Sequence, residues 1–345
     1  MLVAELYEPR RFRLADRPGV PDPGPGEIQV AVTAVGICGS DLHYFSEGTI
    51  GDTPCVYPMV LGHEPAGRVV KAGAGVSGWS AGDRAILEPA LYCYHCEFCL
   101  SGKHNVCANL RFLSSPADPG FFRELVNLPA ANLLPLPANL NEREGTLVEP
   151  LAVVLHSMQF AAPHPGETAV VWGAGPIGLL TIAVLRLAGV RRVWAIDPLP
   201  HRRDLARAIG ADAAMDPAEA DPVREILAET HNRGVDVAID CVARGESINQ
   251  SMDVTRNAGR VVVTGIPSDT HVRLAFHTLR RKELALYNVR RSNHESGTAV
   301  ELLSAQPARF VGILTHARKL EQVQDAFELC EQYSDGVGKL ILTSE

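Results

Sequence analysis

Two patterns of apolar positions divide the chain. Up to about Pro150, short β-branched runs are separated by Pro and Gly turns such as Pro23-Gly24-Pro25-Gly26; they include Ile28–Val35 (IQVAVTAV), Gly67–Val70 and Arg84–Leu87. Such runs predict an irregular, mostly antiparallel β domain. After Pro165-Gly166 the texture changes. Apolar strands are expected at Thr168–Trp172, Arg192–Ile196, Ala213–Met215, Val235–Asp240 and Val261–Thr264. Between them the pattern predicts helices over Pro176–Leu187, Arg202–Ile209, Val223–His231 and Ser247–Arg256, the first opened by Pro and the second closed by Gly210. This alternation predicts a doubly wound parallel sheet. Beyond about Asn288, helices near Thr298–Ser304 and Gln322–Gln332 precede a strand at Lys339–Leu342. The expected organisation is an α/β domain over 151–287, inserted between residues 1–150 and a C-terminal return over 288–345.

Composition narrows the function classes. At 345 residues the chain is long enough for two domains, each with its own core. Its 32 Lys and Arg against 40 Asp and Glu leave a net charge of −8, which argues against nucleic acid as a partner. No apolar run approaches the roughly 18 residues of a membrane span. The segment Met1–Arg10 carries three charges and no long apolar block, so it does not read as a signal peptide. A cytoplasmic location is expected. Four of the eight cysteines fall within fifteen residues, which is metal-ligand spacing rather than a disulfide framework.

Gly173-Ala174-Gly175-Pro176-Ile177-Gly178 is a G-x-G-x-x-G between a predicted strand and a predicted helix. The first Gly permits the tight turn, the second lets backbone approach a pyrophosphate, and the third lets the helix pack on the strand. Pro176 and Ile177 open that helix. Asp197 closes the second strand 19 residues after Gly178, where a carboxylate accepts ribose hydroxyls and repels a 2′-phosphate. NAD is therefore the expected cofactor, without excluding NADP. Arg202 and Arg203 follow; either they are solvated residues at a helix start, or an Arg contacts the ribose edge.

Cys93-x2-Cys96-x2-Cys99-x7-Cys107 offers four thiolates on one small loop. Such a set closes a tetrahedral Zn²⁺ shell with no open position, which makes the site structural. A second constellation is dispersed: Cys38 in Gly36-Ile37-Cys38-Gly39-Ser40-Asp41, His63-Glu64 in Gly62-His63-Glu64-Pro65, and Glu149 in Val148-Glu149-Pro150. One thiolate, one imidazole and carboxylates suit a catalytic zinc, but periodicity does not bring these residues together.

In their order and spacing, Val35–Tyr44 (VGICGSDLHY), Pro58–Glu64 (PMVLGHE), Gly82-Asp83-Arg84, the four-Cys loop, Glu149-Pro150-Leu151, Gly173–Gly178 and Lys282-Glu283-Leu284 resemble the zinc-containing medium-chain alcohol dehydrogenase superfamily. They resemble most its sorbitol (polyol) dehydrogenase branch. The resemblance implies a Rossmann dinucleotide-binding domain and a GroES-like catalytic domain. It further implies Cys38 and His63 as ligands of the catalytic zinc with Glu64 beside them. Glu149 stands where simple alcohol dehydrogenases place a second Cys, and it would reach zinc directly or through water. Ser40 would take the substrate hydroxyl proton and His43 would pass it towards solvent. Tyr44, Phe112, Ser115 and Arg290 would shape a polyol pocket, while Arg291 departs from the aromatic residue frequent in the mammalian-type enzyme.

The function implied is NAD(H)-dependent interconversion of a polyol and a ketose by a homo-oligomer, tetramer or dimer. Alternatives are a dehydrogenase of an aldonate or of threonine, favoured by Arg290 and Arg291, or a dinucleotide-binding relative without activity. No role is expected for Cys55, Cys241 or Cys330.

Overall fold

The computed structural model describes residues 1–344 and divides into two compact units. The first comprises Met1–Pro150, Asn293–Pro307 and the chain from Leu314 onward; the second comprises Leu151–Ser292 and Ala308–Ile313. The return to the first unit thus begins at Asn293 rather than 288. The reason is a strand that hydropathy did not mark. Ala285–Asn288, with two of its four residues exposed, adds a sixth strand to the parallel sheet, and Val289 N–H still donates to the Val263 carbonyl. Residues 308–313 also leave the return and pack on the helix Pro200–Ile209 of the second unit.

In the first unit a sheet runs in the order Leu133–Pro135, Arg84–Leu87, Glu64–Ala72, Glu27–Gly36, Lys339–Thr343, Leu314–Lys319. Its pairings are antiparallel except the last. One edge of Glu27–Gly36 is shared: Leu125–Pro129 pairs with residues 27–31, and Lys339–Thr343 with residues 34–36. Alternate side chains of Glu27–Gly36, among them Ile28, Val30 and Val32, enter a core with Phe45, Phe121, Phe122 and Phe327. This is the period-two signal of a half-buried strand.

The second unit is an all-parallel six-stranded sheet. Its order is Ala213–Met215, Arg192–Ile196, Thr168–Trp172, Val235–Asp240, Thr255–Val263, Ala285–Asn288. In chain order that is 3-2-1-4-5-6, the doubly wound arrangement whose strand order reverses beside strand 1. Thr168–Trp172 and Val235–Asp240 are buried at every position, as central parallel strands covered on both faces must be. Pro176–Leu187 forms the helix after the Gly-rich turn, with Gly175 as its N-cap. The helix expected over Ser247–Arg256 is Gly245–Val254; Thr255 already pairs with Val235, and the polar start of that strand hides it from a hydrophobicity pattern.

Among the described residues no helix is long and apolar enough to cross a membrane.

Candidate active site and metal centres

The loop after Glu27–Gly36 turns into the helix Gly39–Glu47, whose N-cap is Cys38. The neighbouring strand begins at Glu64, paired with Gly36, so His63 and Glu64 arrive beside Cys38. One donor atom each from Cys38, His63 and Glu64 lies within 4.8 Å of the other two. A thiol, an imidazole and a carboxylate converging this closely suit zinc.

Behind these donors Asp41 is the hub of the hydrogen bonding. This buried carboxylate accepts the Cys38 N–H at 3.1 Å and the Gly62 N–H at 3.2 Å, and its Oδ1 lies 3.3 Å from His63 Nδ1. Burial alone would lower the His63 pKa, but Asp41 and then Cys38 outweigh it and raise it well above the usual value. Burial likewise opposes ionisation of Asp41, and the facing His63 prevails and lowers it. A carboxylate at Nδ1 leaves Nε2 as the nitrogen to offer a metal.

Glu64 meets a buried cation. Lys339 Nζ forms an ion pair with the Glu64 carboxylate and donates to the Ile37 carbonyl at 3.2 Å, with both charged side chains 1 % exposed. Burial would lower the Lys339 pKa, yet Glu64 and Cys38 reverse that and raise it. The pair spans Gly36: a Cβ there would collide with Glu64 Oε2 and sit 2.9 Å from Lys339 Cε, so only glycine lets the two charges meet. Glu149, half-buried in the first turn of the helix Val148–Ala161, lies outside the set of converging donors, but its charge also acts on Lys339.

Ser40 Oγ lies 3.4 Å from His63 Nε2, the ring nitrogen that does not face Asp41. His43 is one turn further along the same helix, with Nδ1 3.1 Å from Glu47 Oε1 and its side chain 23 % exposed. Residues three apart share a helix face, so Ser40 and His43 lead from the centre towards water. The Phe112 ring packs 5.5 Å from the His63 ring. Tyr44 is buried in the core of the first unit. Ser115 is occupied in a backbone turn with Asp118; the hydroxyl directed at the centre belongs to Ser114, which donates to Asp41 Oδ1 at 3.1 Å. Arg290 is exposed on the second unit, just after its sixth strand.

Cys93, Cys96, Cys99 and Cys107 converge as a second cluster. Their Sγ atoms lie 3.5 Å (93–107), 3.9 Å (93–99) and 3.9 Å (96–107) apart. A tetrahedral Zn–S shell with bonds near 2.3 Å has sulfur–sulfur edges of about 3.8 Å, so the four thiols fit the ion. The backbone N–H of His95 holds Cys93 down to about 5, whereas burial and the neighbouring Cys107 push Cys99 up to about 12.

In the second unit the glycine turn is shaped for a phosphate. Gly173 has φ of 84°, and a Cβ there would sit 2.7 Å from Val242 Cγ2. At Gly178 a Cβ would strike the Gly173 carbonyl oxygen. A Cβ at Gly175 would meet nothing nearer than the Arg202 guanidinium at 3.7 Å, so backbone there stays approachable. Asp197 is buried; its Oδ2 accepts the Ala174 N–H at 2.8 Å and its Oδ1 the Leu199 N–H at 2.9 Å. Arg202 is not a solvated residue: its NH1 lies 3.8 Å from Asp197 Oδ2 and its side chain is 17 % exposed. Arg203 serves the fold, bonding the Asp197 and Pro198 carbonyls and Asp216. A small cavity in this unit is lined by Ala243, Ile248, Val263, Pro267, Asn288 and Val289.

Asp41, Lys339 and Ser114 are absent from the expected site. Asp41 stood in the quoted Cys38 motif without a role, and a lysine opening the apolar segment Lys339–Leu342 was the available sign of the second.

Comparison with known proteins agrees with this geometry. Residues 24–138 match the alcohol dehydrogenase GroES-like domain and residues 176–305 the zinc-binding dehydrogenase model. The sorbitol dehydrogenase of Bacillus subtilis (strain 168) is 31% identical over 342 residues, covering 99% of this chain and 97% of that protein. Two Escherichia coli structures superpose closely. An alcohol dehydrogenase from strain CFT073 complexed with NADH has TM-score 0.89 and 29% identity, covering 99% of both chains. The L-idonate 5-dehydrogenase of strain K-12 has TM-score 0.90 and 26% identity, covering 99% of this chain and 97% of that one. The chain is an oxidoreductase that belongs to the zinc-binding alcohol dehydrogenase family, with a GroES-like domain and a Rossmann-type parallel sheet.

Proposed function

We propose that this enzyme oxidises a secondary hydroxyl of a polyol to a ketose with NAD, using a catalytic zinc held by Cys38 and His63. The observation that carries the reading is the convergence of Cys38, His63 and Glu64 with the Ser40 hydroxyl beside His63. When bound, the zinc and the nicotinamide supply Lewis acidity at the substrate hydroxyl and an acceptor for the hydride.

This chain's residues do the remainder. Asp41 fixes the His63 ring and the Cys38 backbone. Lys339 balances the negative charge of Glu64 and, through it, of the ligand set. Ser40 Oγ accepts the proton of the substrate hydroxyl as it gives up its own, and the proton released in this relay is passed on by His43, which is held by Glu47 and reaches water. Phe112 walls the site against the His63 ring. Gly173, Gly175 and Gly178 with the N-terminus of Pro176–Leu187 receive the cofactor pyrophosphate, and Asp197 takes the ribose hydroxyls beside Arg202.

A polyol is preferred to a simple alcohol because the converging donors are one thiol, one imidazole and the Glu64 carboxylate, and Glu149 stands where the resemblance places a second thiolate in simple alcohol dehydrogenases. The harder, more polar centre favours adjacent oxygens over a single hydroxyl on an alkyl chain. The identity to a sorbitol dehydrogenase supports this. The likeness to an L-idonate dehydrogenase, with Arg290 and Arg291 after the sixth strand, supports an aldonate as the second reading. Cytoplasmic residence is proposed from eight free cysteines arranged as metal ligands and isolated thiols. A homo-oligomer is proposed from family likeness; the open sheet edge at Ala285–Asn288, with Tyr287 exposed, is compatible with it. An initial-rate screen tests the substrate: sorbitol or xylitol should exceed ethanol in kcat/KM by at least ~100-fold, about 2.7 kcal/mol. Parity with ethanol refutes the polyol reading, and a clear preference for aldonates replaces it with the second.

A further inference from the structure

We propose that Ser114 is a positioning residue of the catalytic metal centre, acting through Asp41; the proposal rests on the reading of Cys38 and His63 as zinc ligands. Asp41 touches both ligands at once, the Cys38 backbone through Oδ2 and the His63 ring through Oδ1. Its placement therefore ties the Cys38 backbone to the His63 ring. Around Oδ1 three groups gather: the Gly62 N–H at 3.2 Å, His63 Nδ1 at 3.3 Å and Ser114 Oγ at 3.1 Å. Of these, the Ser114 hydroxyl is the side-chain donor supplied by a loop remote from the ligand segments.

The chain spends free energy to put that hydroxyl there. Ser114 is 5 % exposed and has φ of 85°, left-handed backbone that a non-glycine residue adopts only when its surroundings demand it. The demand is visible. Leu113 N–H donates to the Pro89 carbonyl at 2.9 Å, Ser114 N–H to the Asp118 carbonyl at 2.9 Å, and Arg111 Nε to Asp118 Oδ1 at 2.9 Å. These bonds clamp residues 111–118 into a turn that points Oγ inward. A glycine would satisfy the turn without strain; a serine there adds one thing, the bond to Asp41. The same turn sets Phe112 against the opposite partner of Asp41, the His63 ring. The loop that walls the substrate site and the carboxylate that orients the metal ligands are thus one hydrogen-bonded body.

The test compares Ser114→Gly, Ser114→Ala and Ser114→Asn with wild type and with Cys38→Ser. The glycine variant keeps the turn and removes the donor; the asparagine variant tolerates left-handed backbone and restores an N–H donor. Outer partners of a metal-bound histidine typically change metal affinity 10- to 100-fold. We expect Ser114→Gly and Ser114→Ala to release the zinc that Cys38→Ser lacks about 10-fold more readily in chelator competition. The Cys₄ zinc should be held as in wild type, and Ser114→Asn should recover part of the loss. Wild-type zinc retention by Ser114→Gly overturns the proposal, since it would show that the turn alone matters. One zinc per chain in wild type, unchanged by Cys38→Ser, would instead overturn the reading of the centre itself.

Discussion

Lys339→Met is the most searching perturbation of the first unit. It removes the cation from a pair whose side chains are both 1 % exposed and leaves Glu64 buried beside Cys38, with Asp41 behind His63. Breaking a buried ion pair by deleting one partner typically costs about 3–5 kcal/mol, because the remaining charge has lost its compensation. The cost should be local. Lys339 opens the strand Lys339–Thr343, which pairs with residues 34–36, and Gly36 lies under the ion pair. Amide hydrogen exchange over Glu27–Gly36 and Lys339–Thr343 should therefore accelerate by roughly 10²- to 10⁴-fold at a tenfold change per 1.4 kcal/mol, while Thr168–Trp172 of the second unit stays unchanged. The measurement belongs also in a Cys38→Ser background, where a metal cannot take up the freed carboxylate. Adding Glu64→Gln to Lys339→Met should return most of the protection, because both charges are then gone. If Lys339→Met leaves protection within threefold of wild type, the ion pair does not hold this sheet together.

Three further outcomes are expected. Cys96→Ser should lose one zinc per chain and melt lower while the folded fraction keeps its catalysis, since a closed thiolate shell stabilises the fold and has no vacancy; metal analysis and thermal melting decide it. Asp197→Ala should weaken NAD and shift the kcat/KM ratio towards NADP, because it removes the ribose acceptor and also the bond to Ala174 N–H that shapes the glycine turn; an unmoved ratio excludes Asp197 as the selectivity residue. Asp236 is the acid-sensitive point of the second unit: burial would raise its pKa, but Arg233, Arg256 and Thr168 overcome that and hold it far below the usual value. A depressed folded pKa stabilises above the unfolded pKa of about 3.9 and is lost as pH falls below it, so Asp236→Asn should lower stability near pH 7 and flatten the acid limb of a denaturation series.

What the sequence revealed follows from range. The second unit was readable because its central strands are buried on both faces and so are written as unbroken apolar runs; Thr168–Trp172, Arg192–Ile196 and Val235–Asp240 fall where hydropathy puts them. Ala285–Asn288 escaped because an edge strand with half its residues in water carries no such run. The Cys₄ loop was legible from local spacing, and Cys38, His63 and Glu64 only through family resemblance, since strand register brings them together. Asp41, Ser114 and Lys339 were not legible. Each is defined by a partner far along the chain: a carboxylate that meets a hydroxyl from residue 114, and an ammonium whose burial depends on Glu64.

The placement of Lys339–Thr343 inside the first unit's sheet has a consequence for biosynthesis. The ribosome completes residues 151–292 before this strand exists, so the second unit can close its parallel sheet while the first still lacks a member between Glu27–Gly36 and Leu314–Lys319. Completion of the first unit's sheet therefore waits on residues 339–343, although residues 1–150 are made first. Until residues 339–343 emerge, the edge at residues 34–36 lacks its partner strand and Glu64 has no Lys339 ammonium to meet, so one late segment supplies both the missing strand and the cation that balances Glu64.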